Sequence, residues 1–452
     1  MSQGRGNFNS RFAAIMAMAG SAVGLGNIWR FPYMVGEHGG AAFIIIYIAC
    51  CLLVSLPIFF SESIIGKSTR KDTFGAMESL APKSRNVGYV AILASFIILS
   101  FYSVVGGWSF DYLIRSCAGS FSGLGPDEAK AVFASMGSSP VESVSCMLVF
   151  LGLSAMIVGA GVDKGIGRFS KISIPVLFLM VVLIAVESLR LPGAEKGVEY
   201  LMKPDFSKID GPAIAAALGQ SFFSLSLGVG TILTYSSYMR EDEDILQAGG
   251  WTAFFDTVFA LIAGFAIMPA VFACGVEPGA GPGLVFQTLP FIFNKMGTSL
   301  PILSSLVSII FFVTILVAAL TSAISMMEVG VSYLVDNKGM SRSWATIIVT
   351  FFAWAVGILC SLSFGPLSEF KIVGNTIFDF LDKMCSNFLM AFGGLLFTLF
   401  VGWKMDKAAV EDEFTNSGTK KNNNFWFKPV YFLIKYVAPV AIVLIFVTNL
   451  IL

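Results

Sequence analysis

Apolar segments distributed along the whole chain constrain its fold more than any other feature. Of its 452 residues, 56% are hydrophobic and 13% are charged, which is not the composition of a water-soluble domain. We therefore predict an all-α polytopic membrane protein with eleven transmembrane helices. The predicted segments are 11–35, 41–66, 87–113, 143–159, 169–188, 212–238, 250–272, 300–335, 344–362, 372–403 and 427–452.

Charge and cysteine content exclude several classes of function. The net charge of +0 gives no indication of a nucleic-acid partner. The seven cysteines lack regular spacing, so we interpret them as small core residues and predict neither a disulfide framework nor a zinc site. His38 is the only histidine, which argues against a histidine metal site or proton relay. No cofactor is predicted, and the first apolar segment is expected to be retained rather than cleaved as a signal peptide.

The first apolar segment is interrupted at its middle. Gly20, Gly24 and Gly26 fall within seven residues, and Asn27 and Arg30 follow them. Glycine weakens a helix interior, and polar side chains at membrane depth are costly and usually functional. Close packing through small residues explains the glycines but not the polar pair. The stretch therefore predicts a discontinuous helix with backbone groups free to bind a ligand or an ion.

The sixth segment repeats these features. Polar side chains and a Gly-x-Gly pair occur together in 220–230, at mid-membrane. The position of this segment in the predicted order makes the two interrupted helices run in opposite directions. We therefore expect a 5+5 inverted repeat, 11–190 and 212–403, with discontinuous helices 1 and 6 and the binding site between the repeats. Residues 427–452 form the eleventh helix of a single domain, 1–452.

The chemistry of two facing interruptions favours an amphoteric substrate. Free N–H groups at half-helix ends suit a carboxylate, and free carbonyls suit a small hard cation. Neither interruption carries an acid, so a substrate amine must pair with carbonyls and hydroxyls. This combination indicates an α-amino acid. Kinked channel helices would explain the glycines but not the paired sites.

Basic residues in short loops predict the orientation in the membrane. The loops after the second, fourth and tenth segments are rich in lysine and arginine, and they fall on the same side as the N-terminus. We expect a multi-pass protein of the cell inner (plasma) membrane, with the N-terminus cytoplasmic and, after eleven spans, the C-terminus outside.

Several short motifs together resemble one family. They are 17–20, 22–27, 30–32, 164–166 with 168–169, 225–228 and 319–322. On these residues the chain resembles the neurotransmitter:sodium symporters, the family that includes the bacterial leucine transporter. Many members have twelve spans, whereas eleven are expected here. The resemblance implies sodium-coupled import of an amino acid by alternating access.

The resemblance also implies two sodium sites. The first would use Ala22, Asn27, Ser224 and Asp256, and the second Gly20, Val23, Ala318, Thr321 and Ser322. Asp256 stands where the family usually has an asparagine. It would ligate sodium directly, and it would also supply, near Tyr47, Gln220 and Ser224, the negative charge that chloride provides in animal members. We therefore expect transport to be independent of chloride.

The substrate site follows from the same resemblance. The carboxylate would meet the first sodium ion, the amides around Leu25 and Gly26, and the Tyr102 hydroxyl. Gly24 stands where monoamine transporters carry an aspartate, which favours amino acids. Val229 replaces a bulkier residue, so a large hydrophobic or aromatic amino acid is expected. The full predicted set is Ala22, Gly24, Leu25, Gly26, Ile98, Tyr102, Phe223, Ser224, Ser226, Val229, Ser322, Ser325 and Met326.

Two gates are implied in the same way. Outside, Arg30 would pair with Asp382, or alternatively with Asp379, and Phe223 and Tyr102 would cover the substrate. Inside, Arg5 would pair with Asp336, with Phe8 packed nearby and Tyr238 hydrogen-bonded. Glu62 would hydrogen-bond the interruption of the sixth segment.

Other functions stay open as alternatives. A proton-coupled carrier of the same architecture is the nearest, although Thr321 and Ser322 argue against it. An ion channel would be a different class. We predict no enzyme, because no nucleophile–base pair, Walker loop or metal cluster can be assembled. The expected partners are the amino acid, sodium and the lipid bilayer, with a homodimer left open and no nucleic acid.

Overall fold

The computed structural model describes residues 6–275, 284–296 and 301–451, and apart from one isolated bridge the regular structure in them is helical. A π-helical turn, Leu284–Thr288, precedes the helix Leu289–Met296, and a 3₁₀ turn, Phe206–Lys208, precedes the helix Gly211–Ser224. The helices are α1 (Arg11–Ala22), α2 (Gly26–Glu37), α3 (Ala41–Thr69), α4 (Thr73–Leu80), α5 (Pro82–Cys117), α6 (Pro126–Ser138), α7 (Pro140–Gly159), α8 (Val162–Leu189), α9 (Ala194–Met202), α10 (Gly211–Ser224), α11 (Thr231–Ser236), α12 (Ile245–Ala273), α13 (Leu289–Met296), α14 (Pro301–Lys338), α15 (Arg342–Leu362), α16 (Ile377–Lys404), α17 (Lys407–Thr415) and α18 (Lys421–Ile451).

The described part of the chain contains nine helices that are long and apolar enough to cross a membrane. A tenth candidate is the pair α1–α2, which bends by 45° at a short break. The predicted sixth segment consists of two short helices, α10 and α11, on either side of residues 225–230. Both predicted interruptions are therefore present, while the total of eleven membrane helices and the repeat relationship stay predictions.

Side-chain caps determine where several helices begin. The Ser10 hydroxyl accepts a hydrogen bond from the Ala13 N–H at the start of α1. Asp210 accepts from the Ala213 N–H, 2.8 Å away, at the start of α10, and Asp244 caps α12. These caps satisfy N–H groups that have no partner within the helix, which fixes the first turn of each element.

Two long helices, α5 and α14, lie side by side and flank both interruptions. Near the middle of the pair, the Ser95 hydroxyl donates to the Met326 carbonyl over 3.0 Å. Farther along, the hydroxyls of Ser116 and Ser308 are 2.8 Å apart. Hydrogen bonds at both levels hold α5 and α14 in register, so both helices can present side chains to the interrupted segments.

The short apolar run that follows α12, which is too short to span a membrane, forms α13 and its preceding turn. Phe286 in that turn packs its ring 5.8 Å from Trp108 and 5.2 Å from Tyr112 of α5. The glycine- and proline-rich stretch 279–283, whose composition predicts an outer turn, lies outside the described residues. No disulfide joins any of the seven cysteines, all of which lie in the described residues, and Cys117 is exposed, so the prediction of a core position is wrong for that residue.

Candidate functional site

The break between α1 and α2 exposes backbone groups at the middle of the bundle. Val23 has extended backbone angles and ends α1, and a π-helical turn, Gly26–Arg30, begins α2. The Gly24 N–H donates to Asn27 Oδ1 over 3.0 Å, and the Leu25 N–H donates to the Tyr102 hydroxyl over 3.4 Å. These N–H groups therefore have neutral side-chain partners that a carboxylate could replace.

A buried polar cluster lies directly beside this break. Asn27 Nδ2 donates to Asp256 Oδ1 over 2.7 Å and to Ser224 Oγ over 3.1 Å. The Ser224 hydroxyl lies 2.7 Å from Asp256 Oδ1, and the Tyr47 hydroxyl donates to Asp256 Oδ2 over 3.0 Å. All four side chains are almost completely buried. Three separate elements, α2, α10 and α12, thus bring together the side chains predicted for the first sodium site.

Asp256 is a buried carboxylate without a basic partner in the described part of the chain. Its neighbours are neutral hydroxyl and amide groups, which solvate a negative charge but do not neutralise it. Removing an isolated carboxylate from water is strongly unfavourable unless a cation or a proton accompanies it. The geometry therefore suits a small cation that prefers oxygen ligands.

A second set of oxygen atoms meets where α14 passes the end of α1. The Thr321 hydroxyl donates to the Val23 carbonyl over 3.0 Å and to the Ala318 carbonyl over 2.8 Å. Gly20 lies against Thr321, since a Cβ atom added to Gly20 would lie 3.5 Å from the threonine Cβ. The Ser322 hydroxyl donates instead to the Ser21 carbonyl over 3.3 Å. Four of the five residues predicted for the second sodium site therefore lie together around Thr321.

The break between α10 and α11 has three residues with left-handed backbone angles. They are Ser226, Gly228 and Gly230, with φ values of 53°, 79° and 76°. Glu62 of α3 accepts hydrogen bonds from the Gly228 N–H over 2.6 Å and from the Leu233 N–H over 3.4 Å. This confirms the predicted contact between Glu62 and the second interruption, and it satisfies two backbone donors that the break leaves without helical partners.

A small cavity of about 30 Å³ lies between the two breaks. Such a volume holds about one or two water molecules, so an amino acid requires its walls to move apart. It is lined by Ser21, Ala22, Gly24, Gly26, Ile98, Tyr102, Phe223, Ser226, Val229, Ser322, Met326 and Met390.

Most of the predicted substrate residues line this cavity, and three do not. Leu25 is not among the lining residues although its N–H contacts Tyr102, and Ser224 belongs to the cluster around Asp256. Ser325 lies behind the wall, where its hydroxyl donates to the Ser322 carbonyl over 2.8 Å.

Two lining residues, Ser21 and Met390, were not predicted from the sequence. Ser21 lies within the glycine-rich stretch and could have been included on that ground. Met390 lies on α16, and no local pattern indicates that it reaches the cavity.

A second cavity of about 40 Å³ lies beyond Phe223, on the side of the predicted outer gate. Arg30 and Asp382 both line it, without an ion pair between these two described side chains. The Arg30 guanidinium lies 4.9 Å from the centroid of the Phe223 ring instead. Asp379 is exposed and accepts from the Thr376 hydroxyl as part of a helix cap. Asp382 is therefore better placed than Asp379 to meet Arg30.

The opposite end of the bundle has a buried polar network that the sequence did not indicate. The Tyr238 hydroxyl donates to Glu328 over 2.7 Å, and Arg342 forms a salt bridge with the same carboxylate. The ring of Phe8 packs edge-on against Tyr238, as predicted, at 6.2 Å. Asp336 accepts from the Asp72 N–H over 3.2 Å. Arg5, its predicted partner, lies outside the described residues.

Comparison with known proteins agrees with this geometry. The model of the sodium:neurotransmitter symporter family matches residues 5–123 and 128–452. An uncharacterized sodium-dependent transporter of Bacillus subtilis (strain 168) is 39% identical over 442 residues, covering 97% of this chain and 96% of the relative. A sodium-dependent transporter of Haemophilus influenzae is 33% identical over 459 residues, covering 99% and 98%.

A solved structure extends the likeness to three dimensions. The crystal structure of MhsT in complex with L-phenylalanine superimposes with a TM-score of 0.91 at 38% identity, covering 98% of this chain and all of the other. This chain has the fold and the family membership of a sodium-dependent symporter. Its two interrupted helices and its buried oxygen-rich site agree with that class. This chain belongs to the sodium:neurotransmitter symporter family.

Proposed function

We propose that this protein imports a large hydrophobic or aromatic L-amino acid together with sodium, by alternating access and without a requirement for chloride. The observation that carries the proposal is the Asp256 carboxylate, buried beside the first break with only neutral partners among the described residues. A buried carboxylate with only neutral partners is stabilised by a bound cation. Because the carboxylate is part of the protein, it also supplies the negative charge that chloride would otherwise bring.

Two sodium ions fit the oxygen atoms around the first break. One would bind Ala22, Asn27, Ser224 and Asp256. The other would bind Gly20, Val23, Ala318, Thr321 and Ser322, where Thr321 already contacts two of the carbonyls. Oxygen ligands without sulfur or imidazole are typical of hard cations.

The substrate would lie between the two breaks. Its carboxylate would bind the N–H groups of Leu25 and Gly26 and the Tyr102 hydroxyl, and its side chain would enter the part of the cavity lined by Ile98 and Val229. That MhsT was crystallised with L-phenylalanine supports an aromatic substrate here.

Coupling would follow from the different affinities of sodium and substrate for two conformations. Sodium would favour the outward-open state. Substrate binding would then let Phe223 and Tyr102 close over the site, with Arg30 meeting Asp382. Loss of the second sodium ion would release α1 and open the inner side, where Arg5, Asp336 and Tyr238 form the gate. In this scheme the N-terminus is cytoplasmic.

Uptake into proteoliposomes tests the proposal. Radiolabelled tryptophan, phenylalanine and leucine would be offered with and without an inward sodium gradient, with chloride replaced by gluconate in a parallel series. Saturable uptake that requires sodium and is unchanged in gluconate is expected. Equal uptake driven by a proton gradient without sodium would contradict the sodium sites and favour a proton-coupled carrier. Uptake of none of the amino acids would contradict the proposed substrate class.

A further inference from the structure

Met390 is the cavity-lining residue that comes from outside the segments of the predicted substrate site. The other lining residues belong to the two breaks and to α5 and α14, whereas Met390 lies on α16. Met390 is 3% exposed, so it is either an ordinary core residue or a wall of the binding site. Its surroundings distinguish these two roles.

Close backbone packing fixes the position of α16 beside the second break. A Cβ atom added to Gly228 would overlap the Met390 carbonyl oxygen, and one added to Gly393 would overlap the Gly228 carbonyl oxygen. A π-helical turn, Cys385–Leu389, ends just before Met390, and such turns are frequent at functional sites. The backbone at Met390 is therefore held against the break, and only its side chain can adjust.

The wall beside Met390 combines one rigid and two deformable parts. Val229 is short and belongs to a break whose backbone is held by Glu62 through the Gly228 N–H. Met326 of α14 and Met390 of α16 line the same cavity as Val229. Methionine side chains are flexible, fill irregular spaces and make favourable contacts with aromatic rings. Because the Val229 side chain is short, the depth of the cavity beside it is determined by the side chains of Met326 and Met390 and not by the backbone.

We propose that Met390 contacts the distal end of the substrate side chain and sets the size of side chain that the site prefers. The site would thus include a subsite on α16 for the ring or branched end of a bulky apolar amino acid. This inference rests on the proposed function, since it specifies which residue determines the preferred size of the substrate side chain. It places a determinant of specificity on the helix that also carries Asp382 of the outer gate.

Substitution of Met390 by smaller and larger residues tests the proposal through a ratio of affinities. Inhibition constants for tryptophan and leucine would be measured against labelled phenylalanine uptake in the purified, reconstituted protein. Met390→Ala is expected to shift the ratio about tenfold toward tryptophan, and Met390→Phe about tenfold toward leucine, because one or two methylene groups in an apolar pocket change discrimination by this order.

Matched variants separate specificity from packing. Met384→Ala makes the same change on α16 at a position that does not line the cavity, and it should leave the ratio unchanged. Met390→Ile keeps an apolar side chain of similar size, so it preserves folding if the alanine variant does not fold, and its shorter reach should still favour tryptophan. An unchanged ratio in folded Met390 variants, with a transporting wild type, would overturn this inference alone. A wild type that takes up no amino acid would overturn the proposed function and this inference with it.

Discussion

The break between α1 and α2 is held mainly by single hydroxyl and amide groups, whereas the break between α10 and α11 is held by the Glu62 carboxyl group and by backbone packing. At the first break, the carbonyls of Ser21 and Val23 accept from serine and threonine hydroxyls. At the second, Glu62 accepts from the Gly228 N–H, and α16 packs backbone to backbone. The two interruptions look alike in the sequence but differ in what stabilises them.

This difference assigns different tasks to the two breaks. A single hydrogen bond between neutral groups contributes about 1 kcal/mol to stability. Sodium and a substrate carboxylate can therefore replace the partners of the first break at little cost. The second break would lose two hydrogen bonds to the buried Glu62 carboxyl group and a close steric fit if it moved. We infer that the first break responds to ligands and the second serves as a fixed wall.

The largest expected contrast comes from the same substitution at the two breaks. Gly228→Ala places a Cβ against the Met390 carbonyl at a residue with φ of 79°, so the backbone itself must shift. Gly24→Ala meets the Ser322 hydroxyl, which belongs to a side chain that can rotate. We expect Gly228→Ala to lose about 4 kcal/mol or more of stability, and Gly24→Ala to fold but bind substrate weakly. Fluorescence-detected size-exclusion chromatography after heating measures the first effect, and uptake kinetics the second. Equal loss of stability in both variants would remove the distinction between the breaks.

Asp256→Asn tests whether the cation at the first break needs the protein's own negative charge. The variant keeps the size of the side chain and removes its charge, so sodium activation of uptake should weaken about tenfold to a hundredfold in gluconate. Chloride should restore part of the lost sodium affinity in the variant and have no effect on the wild type. Ser224→Ala serves as the control, since it removes a neutral ligand that chloride cannot replace. An Asp256→Asn protein with unchanged sodium dependence would show that the carboxylate has no part in ion binding.

Thr321→Val probes the neutral oxygen atoms at the first break. The change removes the hydroxyl that contacts the Val23 and Ala318 carbonyls and keeps the shape of the side chain. Apparent sodium affinity should fall about tenfold, with a lower Hill coefficient in sodium titrations of uptake. Thr314→Val is a matched control on the same helix, because the Thr314 hydroxyl bonds only within α14. The same loss in both variants would point to a general effect on α14.

The smallest effect is expected at the far end of the second break. The Thr73 hydroxyl lies 3.4 Å from the Gly230 carbonyl and 3.2 Å from the Thr234 hydroxyl, which makes it one weak contact among several. Thr73→Val should cost about 1 kcal/mol or less and leave sodium affinity unchanged. Thermal stability and sodium titration would be measured side by side. A marked change in sodium affinity would mean that the second break takes part in ion coupling.

The sequence predicted both breaks because glycine and polar residues inside apolar segments are rare enough to stand out. Gly24, Asn27 and the stretch 220–230 carry that information in the residues themselves. The prediction of the cluster around Asp256 depended on the resemblance to a family, since no local sequence pattern indicates that α12 lies beside α2. The structure then gave the contacts of Asn27, Ser224 and Asp256 with one another.

Features formed by the approach of distant helices could not be predicted. Met390 reaches the cavity because glycines let α16 contact the second break, and a Gly-Gly pair in an apolar helix shows close packing without identifying the partner. Glu328 and Arg342 lie 14 residues apart in the chain and meet only after α14 turns into α15. Arg30 lies over the Phe223 ring, and its pairing with Asp382 stays a prediction.

Hydrogen–deuterium exchange of the purified protein, with and without sodium and phenylalanine, tests the difference between the breaks most directly. Peptides covering residues 19–30 should exchange measurably without ligands and become protected when sodium and substrate are added. Peptides covering 225–231 should exchange slowly under all conditions, since Glu62 and α16 hold that segment. Ligand-dependent protection of 225–231 with no change in 19–30 would contradict the account.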